Sequence, residues 1–361
     1  MAQGTERTNS RPAPRTCPGS SARPLTERYD TALLDLDGVV YVGGAAVPHA
    51  VRALADARGG GMRLGFVTNN ARRTPGQVAE HLNGLGVPAS PADVITSAQA
   101  VARLVAQQVP PGAPALAVGG EGLREALRER GLRPVDSADD GPAAVVQGYG
   151  GPELTWGQLD EAAVAVGRGV PWFASNTDRT IPGARGVLPG NGAAVDVVRT
   201  ATRTLRPAPE PQVAGKPLPP MHRETIERTG AERPLVVGDR LDTDIEGAHV
   251  GGVDSLLVLT GVTDAAQLLA APPEHRPVYV SADLRGLLRP QPEVAQLDAH
   301  GTVFGCGGWL AEPARDGARL RLEGDGEPVD GLLALCAAAW TAAGTGTCTL
   351  DADAALARLR W

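Results

Sequence analysis

Two carboxylates one residue apart, Asp35 and Asp37 in LLDLDGVVY (residues 33–41), stand where an apolar run meets a glycine. Alternate residues of an extended chain face the same way, so both acids can address one point. Like charges that close repel, and each raises the other's pKa unless a cation or a proton separates them. The chemistry such a pair supports is a metal site in which one carboxylate attacks and the other moves a proton. A strand-end Asp capping a turn, with Asp37 solvated, is the alternative this stretch alone leaves open.

Composition marks out further polar residues. Lysine and arginine total 34, yet the chain holds a single lysine, Lys216 in VAGKPLPP. A lysine that survives so strong a bias towards arginine is a candidate for a role arginine cannot fill. Asparagine is also scarce, with six in the chain, and Asn69 and Asn70 stand side by side in LGFVTNNARRTP. The net charge of −7, with no basic stretch interleaved with aromatics, argues against nucleic acid as a partner. Cys17, Cys306, Cys336 and Cys348 show no metal-binding spacing, which fits reduced thiols in the cytoplasm. No apolar run approaches the roughly 20 residues of a spanning helix, so no membrane partner is expected. Residues 1–28, rich in Pro, Ser, Arg and Gly, read as a disordered tail without a secretory signal.

These side chains need elements to hold them. Strand and helix patterns alternate along the chain, which predicts a parallel sheet flanked by helices. Residues 31–35 and RLGFVTNN read as buried strands, and Thr74-Pro75 as an N-cap followed by proline at the first helical position. TSAQAVARLVAQQ reads as a helix capped by Thr96 or Ser97, and PLVVGD as a further strand. Asp35 and Asp37, Thr68 and Asn69, and Asp239 thus fall at three strand carboxyl ends, where open parallel sheets bind ligands.

In that order, DLDGVVY, FVTNNA, GKP and VVGDRLDTDIEGAHVGG closely resemble the four motifs of the haloacid dehalogenase superfamily, in its subfamily IIA branch with a large α/β cap. The resemblance implies a doubly wound parallel sheet as core over residues 29–96 and 208–280, an inserted α/β cap over 97–207, and Mg2+-dependent phosphatase activity. It implies Asp35 as nucleophile, forming an aspartyl phosphate, and Asp37 as general acid and base. Thr68 and the backbone amides near Asn69 and Asn70 would hold the phosphoryl oxygens, and Lys216 would neutralise them. The metal would sit on Asp35, the backbone carbonyl of Asp37, Asp239 and Asp244, with Asp242 solvated. In the stretch ASNTDRTIPGARGVLPGNG, Asn176, Asp178 and Asn191 match the family's cap segment that re-enters the site, and read first as loop-fastening residues.

Residues 281–361 resemble the small α+β, N-acetyltransferase-like domain that ends actinobacterial members of this branch. GTVFGCGGWLAEP and ARLRLEGDG read there as two strands, with Trp309, Trp340 and Cys336 as packing residues. The implied substrate is a small phosphorylated metabolite, glycerol 3-phosphate first, with nucleoside monophosphates, sugar phosphates and p-nitrophenyl phosphate as alternatives. A catalytically vestigial binding or regulatory protein is the alternative of another class, and homo-oligomerisation is left open.

Overall fold

Every residue of Thr31–Leu34 is buried, as a strand covered by helices on both faces must be. Its side chains alternate between two cores. Ala32 and Leu34 join Leu64, Phe66 and Val237 on one face, while Leu33 joins Val67 and Ile95 on the other. The computed structural model describes residues 15–183, 186–315 and 317–359, and places this strand inside a six-stranded parallel sheet. The order is Tyr279–Ser281, Asp254–Val258, Pro234–Gly238, Thr31–Leu34, Arg63–Thr68, Val94–Thr96. The chain fills one side of the first strand, leaves to build an inserted domain, and returns to fill the other. Strand order therefore reverses at Thr31–Leu34, and the ends beside it form the crevice where such sheets bind ligands.

The inserted domain carries its own parallel sheet, ordered Gln212–Val213, Trp172–Ala174, Ala144–Gln147, Pro114–Val118, Arg133–Val135. This sheet runs past residue 207, where the sequence reading ended the insertion, because Gln212–Val213 pairs with Phe173 and Ala174. Thr74 and Thr96 cap their helices through reciprocal bonds with Gln77 and Gln99, which settles the choice between Thr96 and Ser97. The stretch read as a re-entrant loop contains an antiparallel hairpin, Thr180–Gly183 with Gly186–Pro189.

The chain divides into two compact units. The larger spans Ser20–Thr263 and Pro277–Gln291; the smaller holds residues 15–19, 264–276 and 292–359 among those described. The tail expected over residues 1–28 meets two outcomes. Residues 1–14 lie outside the described residues, whereas Ser21 pairs with Gln291 and Leu25, in the helix Leu25–Arg28, is fully buried. Pro, Ser and Arg content had hidden one apolar anchor. In the smaller unit an antiparallel sheet, Ala295–Gln296, Phe304–Cys306, Trp309–Pro313, Leu320–Gly324, packs on the apolar helix Pro328–Ala343. GTVFGCGGWLAEP is two strands, not one, because Gly307 and Gly308 both take positive φ, 53° and 89°, and turn the chain in a two-residue hairpin. Trp309, Cys336 and Trp340 are buried packing residues as expected. No helix among the described residues is long and apolar enough to cross a membrane.

Candidate active site

The first strand ends by donating the Asp35 amide to the Val237 carbonyl at 2.8 Å, so the Asp35 carboxylate emerges at the sheet's carboxyl edge. Gly38 then turns the chain with φ +85°, and a Cβ there would lie 2.4 Å from Asp239 Oδ2. Only glycine satisfies both demands. Asp239, fully buried, follows the strand Pro234–Gly238; its Oδ2 accepts the Val262 amide at 2.7 Å and its Oδ1 has no hydrogen-bond partner. Asp244 arrives through a π-turn, Leu241–Ile245, whose extra residue swings its carboxylate back to the strand end. Asp244 presses so closely on the strand that a Cβ on Gly238 would lie 2.2 Å from its own Cβ.

Asp35, Asp239 and Asp244 thus bring one carboxylate oxygen each to within 4.8 Å of one another. Burial, with the charges of Asp35 and Asp244, pushes Asp239 up to about 7. Burial likewise lifts Asp244 to about 6 against the pull of Lys216, and raises Asp35. Three hard oxygen donors, one of them an unpartnered buried atom, fit a divalent cation such as Mg2+. Asp37 brings no carboxylate to this cluster. Its side chain is exposed at the mouth, although surrounding protein raises its pKa against the charges of Lys216 and Arg73. Asp242 also stands apart, in a pair with Arg240 at 2.7 Å.

All three ammonium protons of Lys216 are directed inward: to Asp35 Oδ1 at 2.5 Å, Asp244 Oδ1 at 2.8 Å and the Val67 carbonyl at 3.2 Å. Burial disfavours its charge, but Asp244 and Asp35 outweigh that cost and raise its pKa. A guanidinium is planar and larger, so the lone lysine occupies a place arginine does not fit.

Thr68 is buried beside this cluster, and its Oγ1 accepts the Asn70 amide at 3.1 Å. Asn70 Oδ1 in turn accepts the Arg72 amide at 2.8 Å. The Asn70 amide expected near the phosphoryl oxygens is therefore engaged within its own loop, and so is the Asn70 side-chain oxygen. The side chain of Asn69 is committed too, with Oδ1 accepting the Lys216 amide and Nδ2 donating to Asp178 and the Lys216 carbonyl. The Asn69 carbonyl accepts from Ser97 Oγ and Asn176 Nδ2, and Asn191 Nδ2 donates to the Asn176 carbonyl at 2.7 Å. Asn176, Asp178 and Asn191 do fasten the inserted domain's loops, as read. Ser97 and Gly215, which belong to the same network, went unrecognised. The scarcity of asparagine was the usable signal, since four of the six converge here.

A model described as haloacid dehalogenase-like hydrolase matches residues 32–133, a related hydrolase-like model matches 213–287, and a GCN5-related N-acetyltransferase-like model matches 306–361. The chain is 42% identical over 318 residues to the D-glycerol 3-phosphate phosphatase of Mycobacterium tuberculosis, covering 88% of each. It is 37% identical to the acid sugar phosphatase of Staphylococcus aureus, covering 66% of this chain and 89% of that one. The crystal structure of M. tuberculosis glycerol phosphate phosphatase with magnesium superposes with a TM-score of 0.82 at 39% identity, over 94% of this chain and 99% of that one. Carboxylates and a lysine at the ends of a doubly wound sheet, in a chain this similar to known members, make it a member of the haloacid dehalogenase-like hydrolase family.

Proposed function

We propose that this chain is a Mg2+-dependent phosphomonoester hydrolase that passes the phosphoryl group first to Asp35 and then to water, with glycerol 3-phosphate as substrate. The observation that carries the chemistry is Asp35 itself: a carboxylate at a parallel-sheet edge, 2.5 Å from a buried ammonium and grouped with two further acids. In the first half-reaction an Asp35 oxygen forms a bond to phosphorus, the bond to the substrate oxygen breaks, and Asp37 gives that oxygen a proton. In the second, Asp37 takes a proton from water as the water oxygen attacks phosphorus and the Asp35–phosphorus bond breaks. The raised pKa and exposed position of Asp37 suit a group that must hold a proton and then accept one. Lys216 offsets charge on the phosphoryl oxygens, and the Thr68 hydroxyl retains a proton to donate to one of them. Asp35, Asp239 and Asp244, with the Asp37 carbonyl, would hold Mg2+, which when bound adds positive charge at the phosphoryl group and relieves repulsion among the acids.

The inserted domain serves as the cap that excludes water and selects the leaving group. Its stretch Asn176–Thr180 contains no aromatic ring, which suits a polyol better than a nucleobase or pyridine. The M. tuberculosis relative supports glycerol 3-phosphate, and the staphylococcal relative supports sugar phosphates as the second reading. The four free cysteines fit a reducing cytoplasm. The test is a panel of phosphomonoesters with purified protein and Mg2+. The expected kcat/KM for glycerol 3-phosphate exceeds those for UMP, GMP and pyridoxal 5′-phosphate by at least roughly tenfold. A nucleotide or pyridoxal phosphate turning over faster overturns the substrate, and no turnover of any ester overturns the chemistry.

A further inference from the structure

The Asn69 carboxamide closes on the backbone of one residue, Lys216, from both of its peptide groups. Its Oδ1 accepts the Lys216 N–H at 2.8 Å, and its Nδ2 donates to the Lys216 carbonyl at 3.2 Å. The remaining Nδ2 proton goes to Asp178 Oδ2 at 3.1 Å, on the inserted domain. The backbone of Asn69 is held from the same direction, because its carbonyl accepts from Asn176 Nδ2 at 2.7 Å. Residue 215 is glycine, and a Cβ there would lie 2.6 Å from Asn69 Oδ1 and 2.5 Å from the Ser175 carbonyl. The approach of these three segments thus depends on a missing side chain. The lysine side chain is a flexible four-carbon stem, so where its ammonium rests depends on how firmly its own backbone is held.

We propose that Asn69 is a positioning residue that makes the placement of Lys216 conditional on the seating of the inserted domain. With Asp178 and Asn176 in place, the carboxamide is oriented to grip residue 216 by both its N–H and its C=O. When that domain lifts, Asn69 loses the partners that orient it, and Lys216 loses its hold before any substrate is bound. Substrate enclosure and phosphoryl-charge neutralisation become one event rather than two. The catalytic consequence rests on the role proposed above for Lys216; the structural coupling does not.

Hydrogen–deuterium exchange on the full chain separates the two. Asp178 makes no hydrogen bond to Lys216, yet Asp178→Ala is expected to speed exchange of the Lys216 amide about tenfold, as Asn69→Ala does directly, with Leu235–Val237 unchanged. Asp178→Ser serves where the alanine variant does not fold. Exchange that rises only over residues 176–191 and leaves Lys216 protected overturns the coupling. In kinetics, Asn69→Asp keeps the acceptor for the Lys216 amide but sets a carboxylate against Asp178. Its kcat is expected to fall at least about tenfold with KM changed less than about threefold. The reversed pair, Asn69→Asp with Asp178→Asn, restores the contact between residues 69 and 178 but not the bond to the Lys216 carbonyl, so it recovers part of that loss. An Asn69→Asp enzyme within twofold of wild-type kcat overturns the catalytic consequence. A wild-type chain without phosphatase turnover removes the reading of Lys216, while the exchange result still decides the coupling.

Discussion

The larger unit contains two parallel sheets whose carboxyl edges meet at the loop of residues 69–73, and only one edge gathers carboxylates and a lysine. The core sheet ends in Asp35, Thr68 and Asp239. The inserted sheet ends in Gly119-Gly120, Gly148 and Ser175, and the neighbouring loop fills the space at two of these glycines: a Cβ on Gly120 would meet Arg72 at 2.8 Å, and one on Gly148 would meet Ala71 at 3.0 Å. Both edges have the backbone geometry that binds ligands in open α/β sheets. Chemistry follows the side chains placed there, and the second edge is spent on docking the first.

The largest effects are expected at the core edge. Asp35→Asn should lower kcat by roughly 10⁴-fold or more and abolish trapping of the enzyme with beryllium fluoride, while the melting temperature stays near wild type. Asp37→Asn should cost roughly 10²- to 10⁴-fold in single-turnover assays of both half-reactions. A near-native Asp35→Asn enzyme would place the nucleophile elsewhere.

Next in size is Lys216→Arg, for which kcat is expected to fall by roughly 10²- to 10³-fold, with little recovery over Lys216→Ala. Equal activity of lysine and arginine at this position would reduce the lone lysine to a compositional accident.

The carboxylate cluster should also separate the edges by pH. Asp239 sits at about 7 in the folded chain against 3.8 ordinarily, so the folded state holds more protons between those values than the unfolded state. Stability therefore falls as pH rises through that window. Metal-free protein should lose more melting temperature between pH 5 and pH 8 than Asp239→Asn does, and Mg2+ should stabilise the wild type more at pH 8 than at pH 5. Thermal unfolding with chelator or Mg2+ checks both; parallel pH profiles for the two proteins would remove Asp239 from the cluster.

The smallest effect on activity is expected at the inserted edge. Gln147 is fully buried, accepts from Trp172 Nε1 at 2.9 Å and leaves its Nε2 unpartnered. Gln147→Leu strands the indole N–H, which costs about 1–3 kcal/mol of stability in denaturant melts, yet kcat should stay within about threefold. A loss comparable to that of Asp37→Asn would mean the second edge takes part in the reaction.

The four motifs, the sheet and the Thr74 cap were legible because each is written in adjacent residues: apolar runs ending in acids, a Thr-Pro pair, glycines where the chain must turn. Lys216 was legible twice, through composition and through the GKP motif. The clamp of Asn69 was not, since its partners lie about 30 to 150 positions away in sequence and a carboxamide carries no mark of which groups it will bind. The hairpin at Gly307-Gly308 was legible in principle, but a glycine-rich strand and two short strands share the same apolar alternation. Ser21 to Arg28 was misjudged because polar composition outweighed a single Leu25, whose burial depends on the rest of the fold.

The chain enters the smaller unit at Asp264, leaves it at Arg276 to add Tyr279–Ser281 to the core sheet, and returns after Gln291. During synthesis the sheet's last strand is thus available before the helix Pro328–Ala343 exists, while the segment carrying Leu268, whose carbonyl receives the Trp340 indole N–H, must wait for it. The C-terminal unit is therefore no removable appendage. A stop codon after residue 291 would leave an already translated stretch without its partner, and a lineage shedding this unit would have to remodel two separated segments of the gene together.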